Sequence, residues 1–480
     1  MRQIQRLTAL HVEPAHTAEH GPESAPKAIS AKFIFLLLSA TLLVNATMVL
    51  MVLPKVSSIW PLTYSVTFGD FYDEIGKNLA QGIGYRIDPA MGSTMLREPG
   101  YPLLLAAVFK LGGYGIQQAR MTCVLLAFGA ALLLLGLTRK ITGDAMTALV
   151  AALLFLLYPG ILVAETRAGV EIPCMFTVIL FILVLLSAVN NRSLWRYGTA
   201  GLLLGAAVLV RSEVLLFPLL LLIYLLFAAK GWAERRNVTE RVAVLALGTA
   251  VVMLPWIIRN YRLVHSFVPT ATVAGVAAQT GLYTCENASP DEPFFMTDTA
   301  AGRARAEIAR QLHIPFVGIY YYQIFYTPQG ELQFDRALRN IVSAEYRDHP
   351  EILARCTARN LFFNFWFLGK TPRTVRLNVL LQAPLLALAV VGIVVLWKQK
   401  LLRNAGMILL YILYIPAVHA PILAQARYSI MLVPFLAILA AVSLVSVWRA
   451  LTRIWWLHRN LGPRDSAEGK SLGLALEQEQ

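Results

Sequence analysis

With 480 residues, 57% of them hydrophobic and only 15% charged, and a mean hydropathy of +0.59, this chain lies outside the range of soluble globular domains. Its formal net charge of +14 comes from basic residues scattered through short segments between apolar runs. That pattern belongs to an all-α polytopic membrane protein with basic cytoplasmic loops, and it excludes a nucleic-acid binder.

In chain order, residues 1–31 are polar, hold His11, His16 and His20, and lack periodicity; they read as a disordered cytoplasmic tail. No small-residue cleavage site follows the first apolar run, so that run stays as a span. Apolar runs occur at 32–54, 99–115, 121–137, 146–163, 172–189, 197–210, 213–229, 242–258, 378–397, 405–424 and 428–448, which predicts 10–11 membrane segments in a helical bundle. The expected organisation is an N-terminal membrane module at 32–258, an extracytoplasmic, mostly helical domain at 259–377, C-terminal membrane helices at 378–448, and a basic then polar cytoplasmic tail at 449–480.

The stretch after the first run differs from its surroundings. Within the external loop 55–98, Asp70, Asp73 and Glu74 fall close together. Read as a helix, Asp70, Asp73, Glu74 and Lys77 share a polar face, and Phe71, Ile75 and Leu79 form the opposite apolar stripe. Such a helix would lie flat at the membrane surface with its acids toward water. Gly82 and Gly84 end it, and Arg97-Glu98-Pro99-Gly100-Tyr101-Pro102 turns the chain into the next apolar run.

Basic clusters at Lys230–Arg236, at Lys398, Lys400 and Arg403, and from Arg449 to Arg459 mark the cytoplasmic side. Counting crossings then requires one apolar run to fail to span, with 99–115 suspected before 197–210. If 99–115 fails, Glu165, Arg167, Glu171, Arg211, Glu213, Arg259 and Arg427, all at the ends of apolar runs, share the outer face with Asp70. Cys123 and Cys174 sit in apolar runs, whereas Cys285 and Cys356 sit in the segment placed outside, where a disulfide is expected. His265, His313, His349 and His419 are isolated and read as structural or solvent-facing. No Cys or His spacing suggests a metal centre.

Several of these motifs carry a resemblance. Tyr72, Asn78-Leu79, Gly82-Ile83-Gly84-Tyr85 and Arg97-Glu98-Pro99-Gly100-Tyr101-Pro102, preceded by an acid, resemble the first external loop of GT-C glycosyltransferases. The branch is that of bacterial protein-O-mannosyltransferases and aminoarabinose transferases. Glu171 resembles the acid that opens a span there, and Arg211 the arginine that usually precedes a proline, replaced here by Ser212. Pro255-Trp256-Ile257-Ile258-Arg259-Asn260 and Arg427-Tyr428 resemble two later stretches. The resemblance implies a GT-C-like bundle that takes a sugar from a polyprenyl-phosphate donor, with a loop aspartate as base. Asp70 is the first candidate for that base, although it stands nearer Tyr72 than the family's aspartate does, and Asp73 is the alternative.

Chemistry specifies the remaining roles. A carboxylate within reach of the acceptor hydroxyl takes its proton. Arginines, with a planar fork that pairs phosphate, bind the leaving group. Arg97, Arg259, Arg211 and Arg427 are candidates for that, with Tyr72, Tyr85, Tyr101 and Glu171 around the substrate. One base-assisted displacement inverts the anomeric centre, whereas two carboxylates also suit retention. A divalent cation on the loop acids is left open. The acceptor is a lipid, a glycan or a protein, and membrane lipids are the other partners. The expected place is a bacterial inner (plasma) membrane, with the site facing the extracytoplasmic side. A transporter or lipid flippase is the rival class.

Overall fold

The computed structural model describes residues 30–55, 70–287, 294–319, 322–365 and 372–460. The expected N-terminal tail before residue 30, loop residues 56–69 and the end of the C-terminal tail after residue 460 lie outside them. The chain is a mostly helical, polytopic integral membrane protein. Its elements are α1 (Ala31–Thr47, continued by a π-turn at Met48–Val52), α2 (Tyr72–Ala80), α3 (Gly100–Gly112), α4 (Ile116–Thr142), α5 (Ala145–Leu156), α6 (Pro159–Thr166) and α7 (Glu171–Asn191). They continue with α8 (Leu194–Val210), α9 (Phe217–Ala228), α10 (Trp232–Val264), α11 (Ala274–Asn287), α12 (Phe294–Gln311), β1 (Phe316–Ile319), β2 (Tyr322–Phe325), α13 (Pro328–Asp348) and α14 (Pro350–Phe363). The last are α15 (Pro372–Lys398), α16 (Gly406–His419), α17 (Ala426–Ile430) and α18 (Val433–Asn460).

Among the described residues, 6 helices are long and apolar enough to cross a membrane: α1, α4, α7, α10, α15 and α18. A seventh span arises if α5 and α6, bent by 49° at Leu157 and Tyr158, count as one. That is fewer than the expected 10–11 membrane segments, because α3, α8, the Ser212–Ala228 segment and α16 are apolar but short. At about 1.5 Å per residue, α3 covers only about two thirds of a ~30 Å hydrocarbon core. Leucine, valine and phenylalanine side chains exposed along these helices, such as Phe35, Leu125, Leu219, Val251 and Val390, form the lipid-facing surface.

Small residues allow the bundle to close. α8 and α10 touch backbone to backbone: a Cβ on Gly205 would lie 2.8 Å from the Thr249 carbonyl oxygen, and one on Gly248 2.7 Å from that of Gly198. Without a hydrophobic driving force between helices in lipid, such close approach supplies the packing attraction. A Cβ on Gly100 would likewise meet the Leu209 carbonyl oxygen at 2.7 Å, so the start of α3 sits on the end of α8.

The segment expected as the extracytoplasmic domain holds α11 to α14 and one antiparallel hairpin, in which Phe316 pairs with Phe325 and Ile319 with Tyr322. The hairpin departs from the all-α expectation; aromatic and β-branched residues crowd both strands. The expected limits, 259 and 377, fall inside α10 and α15, which run on past the bundle. Cys285 of α11 and Cys356 of α14 form the expected disulfide, with Cα atoms 5.8 Å apart.

The loop helix corrects one expectation. Asp70 and Phe71 both have left-handed backbone, with φ of 74° and 65°, so α2 begins only at Tyr72 and Asp70 is not on its face. Its apolar stripe does not meet lipid. Phe71 and Ile75 are buried with Tyr85, Ile87, Leu96, Trp256 and Ile324, in a core shared with α10 and the hairpin. Periodicity identified an apolar face, but not whether protein or membrane covers it.

Candidate active site

Where the loop, the ends of the membrane helices and the α11–α12 side meet, they enclose a cavity of ≈ 420 Å³. Its lining includes Asp70, Tyr72, Arg97, Glu98, Arg167, Arg211, Glu213, Arg305, His419, Gln425, Arg427 and Tyr428. The loop supplies Asp70 and Glu98, and the α8–α9 turn supplies Glu213. Residues of the α11–α12 side are small or apolar apart from Thr270, Thr280 and Arg305. Arg305 is buried, with Nη1 donating to Gln279 Oε1 at 3.1 Å and to Thr280 Oγ1 at 2.5 Å.

Asp70 is clamped at the centre of the charged wall. Arg97 Nη2 lies 3.1 Å from Asp70 Oδ1 and Arg97 Nε donates to the Asp70 carbonyl oxygen at 2.8 Å. Arg427 Nη1 reaches Asp70 Oδ2 at 2.5 Å. Two consecutive left-handed residues without glycine are costly, and such strain persists only where surrounding contacts over-determine it; the double hold by Arg97 supplies those contacts.

The same wall carries a second ionic cluster. Arg211, where α8 turns toward α9, pairs with Glu213 Oε2 at 2.9 Å and with Glu171 Oε1 at 3.4 Å. Glu98 Oε1 accepts from the Ser212 backbone N–H at 3.2 Å. A proline at that position would lack the donor, so Ser212 lets the Glu98 carboxylate tie the loop to the α8–α9 turn.

Other expected residues stand behind the cavity as braces. Tyr85 donates its hydroxyl to the Arg97 and Glu98 carbonyl oxygens, at 2.9 and 3.1 Å. Arg259 stacks on Trp256 and Tyr85 and donates to the Thr94 carbonyl oxygen at 2.8 Å, outside the cavity lining. Tyr101 Oη donates to the Ala168 carbonyl oxygen at 2.6 Å, fixing the α6–α7 turn that carries Arg167. Glu171 holds Arg211 from the rear. Asp73 is buried at 2% exposure, accepts from Tyr114 Oη at 2.8 Å, and does not line the cavity. Beside it, burial and the adjoining Asp73 carboxyl push the Glu74 pKa up to about 8. Glu331 of α13 pins the loop to the outer segment by accepting from Thr94 Oγ1 at 2.7 Å, from the Met95 backbone N–H at 2.9 Å and from Thr272.

Of the expected site residues, the structure therefore gathers Asp70, Tyr72, Arg97, Arg211 and Arg427 around one space, with Glu171 just behind. It places Asp73, Tyr85, Tyr101 and Arg259 in support. Glu98, Arg167, Glu213, Arg305, His419 and Tyr428 were not named as site residues, although Glu98 and Tyr428 lie in the motifs that carried Arg97 and Arg427, and Arg167 and Glu213 were among the charges expected on the face of Asp70. The divalent cation left open finds an arginine-rich donor set: both Asp70 oxygens pair with guanidinium groups. Among the described residues no three His, Cys, Asp or Glu side chains gather to hold a metal.

Residues 97–258 match the family model of dolichyl-phosphate-mannose-protein mannosyltransferases. No curated protein sequence matches significantly. Among solved structures the chain is similar to the oligosaccharyltransferase AglB of Archaeoglobus fulgidus, solved with an inhibitory peptide and a dolichol-phosphate, at 15% identity and a TM-score of 0.53, over 93% of this chain and 54% of that one. It thus spans about half of AglB's length. ArnT from Cupriavidus metallidurans, solved with undecaprenyl phosphate, aligns at 16% identity and a TM-score of 0.38, over 86% of this chain and 78% of that one. The likeness to AglB is one of fold, and the family match covers about a third of the chain.

Proposed function

We propose that this protein transfers a sugar from a polyprenyl-phosphate donor to an acceptor hydroxyl on the extracytoplasmic side of the membrane, with Asp70 as the base. One observation carries the reading: a cavity-lining carboxylate is held by two arginines, one of which, Arg427, keeps its side chain 26% exposed. A donor phosphate entering the cavity competes for Arg427, because guanidinium pairs phosphate as readily as carboxylate. That exchange leaves an Asp70 oxygen to take the acceptor's proton as the acceptor oxygen attacks the anomeric carbon. Arg427 and Arg211 then hold the departing polyprenyl phosphate. A single displacement of this kind inverts the anomeric centre. The family's description and the dolichol-phosphate bound by AglB support a lipid-phosphate donor.

The outer position of the site follows from the charges at the opposite end of the helices. Arg139 and Lys140 close α4, Lys398 closes α15, and Arg449 lies on the last turns of α18, so by the positive-inside rule that end is cytoplasmic. The test is release of undecaprenyl phosphate from undecaprenyl-phosphate mannose and glucose by the purified protein in lipid nanodiscs. Comparing envelope glycans and glycoproteins by mass, with and without the chain, identifies the acceptor. Donor cleavage that depends on the protein supports the reading; no cleavage of either donor contradicts it.

A further inference from the structure

The charged wall contains a histidine that the mechanism above leaves idle. His419 ends α16, lines the cavity and is 8% exposed. Its Nε2 lies 3.1 Å from Glu213 Oε2, the same oxygen that pairs with Arg211 Nη2 at 2.9 Å. Its ring stacks on Tyr428 with centroids 3.7 Å apart and planes 10° from parallel. The Arg211 and Arg427 guanidinium groups lie 5.5 and 5.8 Å from the centre of that same tyrosine ring. The turn carrying Glu213 is itself fixed, because Tyr414 Oη donates to the Glu213 carbonyl oxygen at 2.7 Å and accepts from the Leu216 N–H at 3.1 Å.

This is a carboxylate–imidazole pair of the kind that fixes a tautomer. A carboxylate oxygen that already pairs with Arg211 is an acceptor, so Nε2 must donate to it, and the exchangeable proton of the ring is the one on Nδ1. Nδ1 makes no hydrogen bond among the described residues. Glu213 Oε1 is likewise buried without a partner among the described residues. The groups facing His419 are Glu213 and Arg211 on the α8–α9 turn, Glu171 behind Arg211, Arg427 and Tyr428 on α17, and Tyr414 on its own helix.

We infer that His419, held by Glu213 and stacked on Tyr428, is a second proton-transfer residue of this site and donates its Nδ1 proton to the departing phosphate. The inference rests on the transfer reading above. As the bond from the anomeric carbon to the phosphate oxygen breaks, that oxygen keeps the electron pair and receives the Nδ1 proton. The acceptor oxygen forms the new bond to the anomeric carbon and gives its proton to Asp70. Polyprenyl phosphate leaves with one negative charge, His419 is left neutral, and proton exchange between Asp70, His419 and water restores both groups.

The experiment is single-turnover cleavage of undecaprenyl-phosphate mannose or glucose in nanodiscs between pH 5.5 and 9, for the wild type and H419Q. Glutamine keeps a donor for Glu213 but does not titrate. Wild-type rates should fall with rising pH along one ionisation. H419Q should lose about 10²-fold or more in rate, in the range of general acid–base contributions, together with that limb, while its affinity for undecaprenyl phosphate stays within about twofold, since only the titrating proton is removed. A wild type that transfers with a flat alkaline limb overturns the role of His419 whether or not H419Q folds, and so does an H419Q protein with wild-type rate and limb. A wild type that cleaves neither donor overturns the transfer reading, and this inference with it.

Discussion

The Asp70 carboxylate reaches 357 residues along the chain to meet Arg427, Oδ2 to Nη1 at 2.5 Å. This contact joins the first external loop to the short helix before the last span, and it makes the cavity a product of both ends of the protein. Arg97 holds the other oxygen of Asp70, yet the two arginines have different surroundings and their removal should have different consequences.

Arg97 has a side chain only 5% exposed and ties down both the main chain and the carboxylate of Asp70. Arg97→Ala breaks a buried pair, leaves Asp70 to Arg427 alone and frees the Asp70 main chain, a change that costs up to about 3–5 kcal/mol, and should lower thermal stability in detergent. Arg427→Ala should keep its melting temperature and weaken undecaprenyl phosphate binding roughly 10–100-fold, the equivalent of one charge-assisted hydrogen bond of about 1.5–3 kcal/mol. Thermal melts and lipid-phosphate titrations on both variants separate the two roles. The reverse pattern would assign the phosphate to Arg97.

Backbone contact at Gly100 sets the floor of the site. An added Cβ meets the Leu209 carbonyl oxygen at 2.7 Å and Val210 Cγ2 at 2.9 Å, and neither a carbonyl nor a packed valine gives way readily. Gly100→Ala should cost about 1–3 kcal/mol by overpacking and reduce transfer by shifting Arg97 and Glu98. Ser212→Pro should reduce transfer without overpacking, since it removes only the N–H that Glu98 accepts from. Melting curves and turnover for both variants check this; unchanged stability in Gly100→Ala would show that the helices part without cost.

Stability should depend on pH through Glu74. Its folded pKa, held up to about 8 by burial and Asp73, exceeds the unfolded value, so the folded protein binds the proton more tightly. Its contribution is fully present below the ordinary carboxylate pKa of about 4.3 and is lost as pH rises through the folded value. Melting temperature should therefore fall between pH 5 and 9, and Glu74→Gln should flatten that slope. Equal slopes for the two proteins would remove Glu74 from the account.

Membrane sidedness is testable with little background, because Cys123 and Cys174 are buried and Cys285 is bridged to Cys356. Cysteine placed at exposed Ser343, on α13, should react with an impermeant thiol reagent from outside. Cysteine at exposed Gln399, just after α15, should react only after the membrane is opened. Labelling of both from the same side would contradict the arrangement.

Much of this organisation can be read from the chain. Apolar runs mark the helices, and ionisable residues at their ends, Arg211 and Arg427 among them, are costly enough in lipid to point to one face. Length alone does not pick out which run fails to span, since α3, α8 and α16 are all short. Long-range pairing is harder to read. His419 stands alone in sequence and acquires meaning only when Glu213, 206 residues earlier, lies beside it. Arg305 likewise belongs to a helix whose local pattern says nothing of the cavity. For α2 the period of the apolar stripe is the same whether lipid or Trp256 covers it, and so Asp73, expected to face water, is buried.

The central claim is that Asp70 is the base. Asp70→Asn keeps the size of the side chain and can still accept from one arginine, but it has no basicity. Donor cleavage and transfer by this variant in nanodiscs should fall by about 10²–10⁴-fold, while undecaprenyl phosphate still binds and Asp73→Asn retains most of its turnover. A correctly inserted Asp70→Asn protein with wild-type turnover would contradict the account.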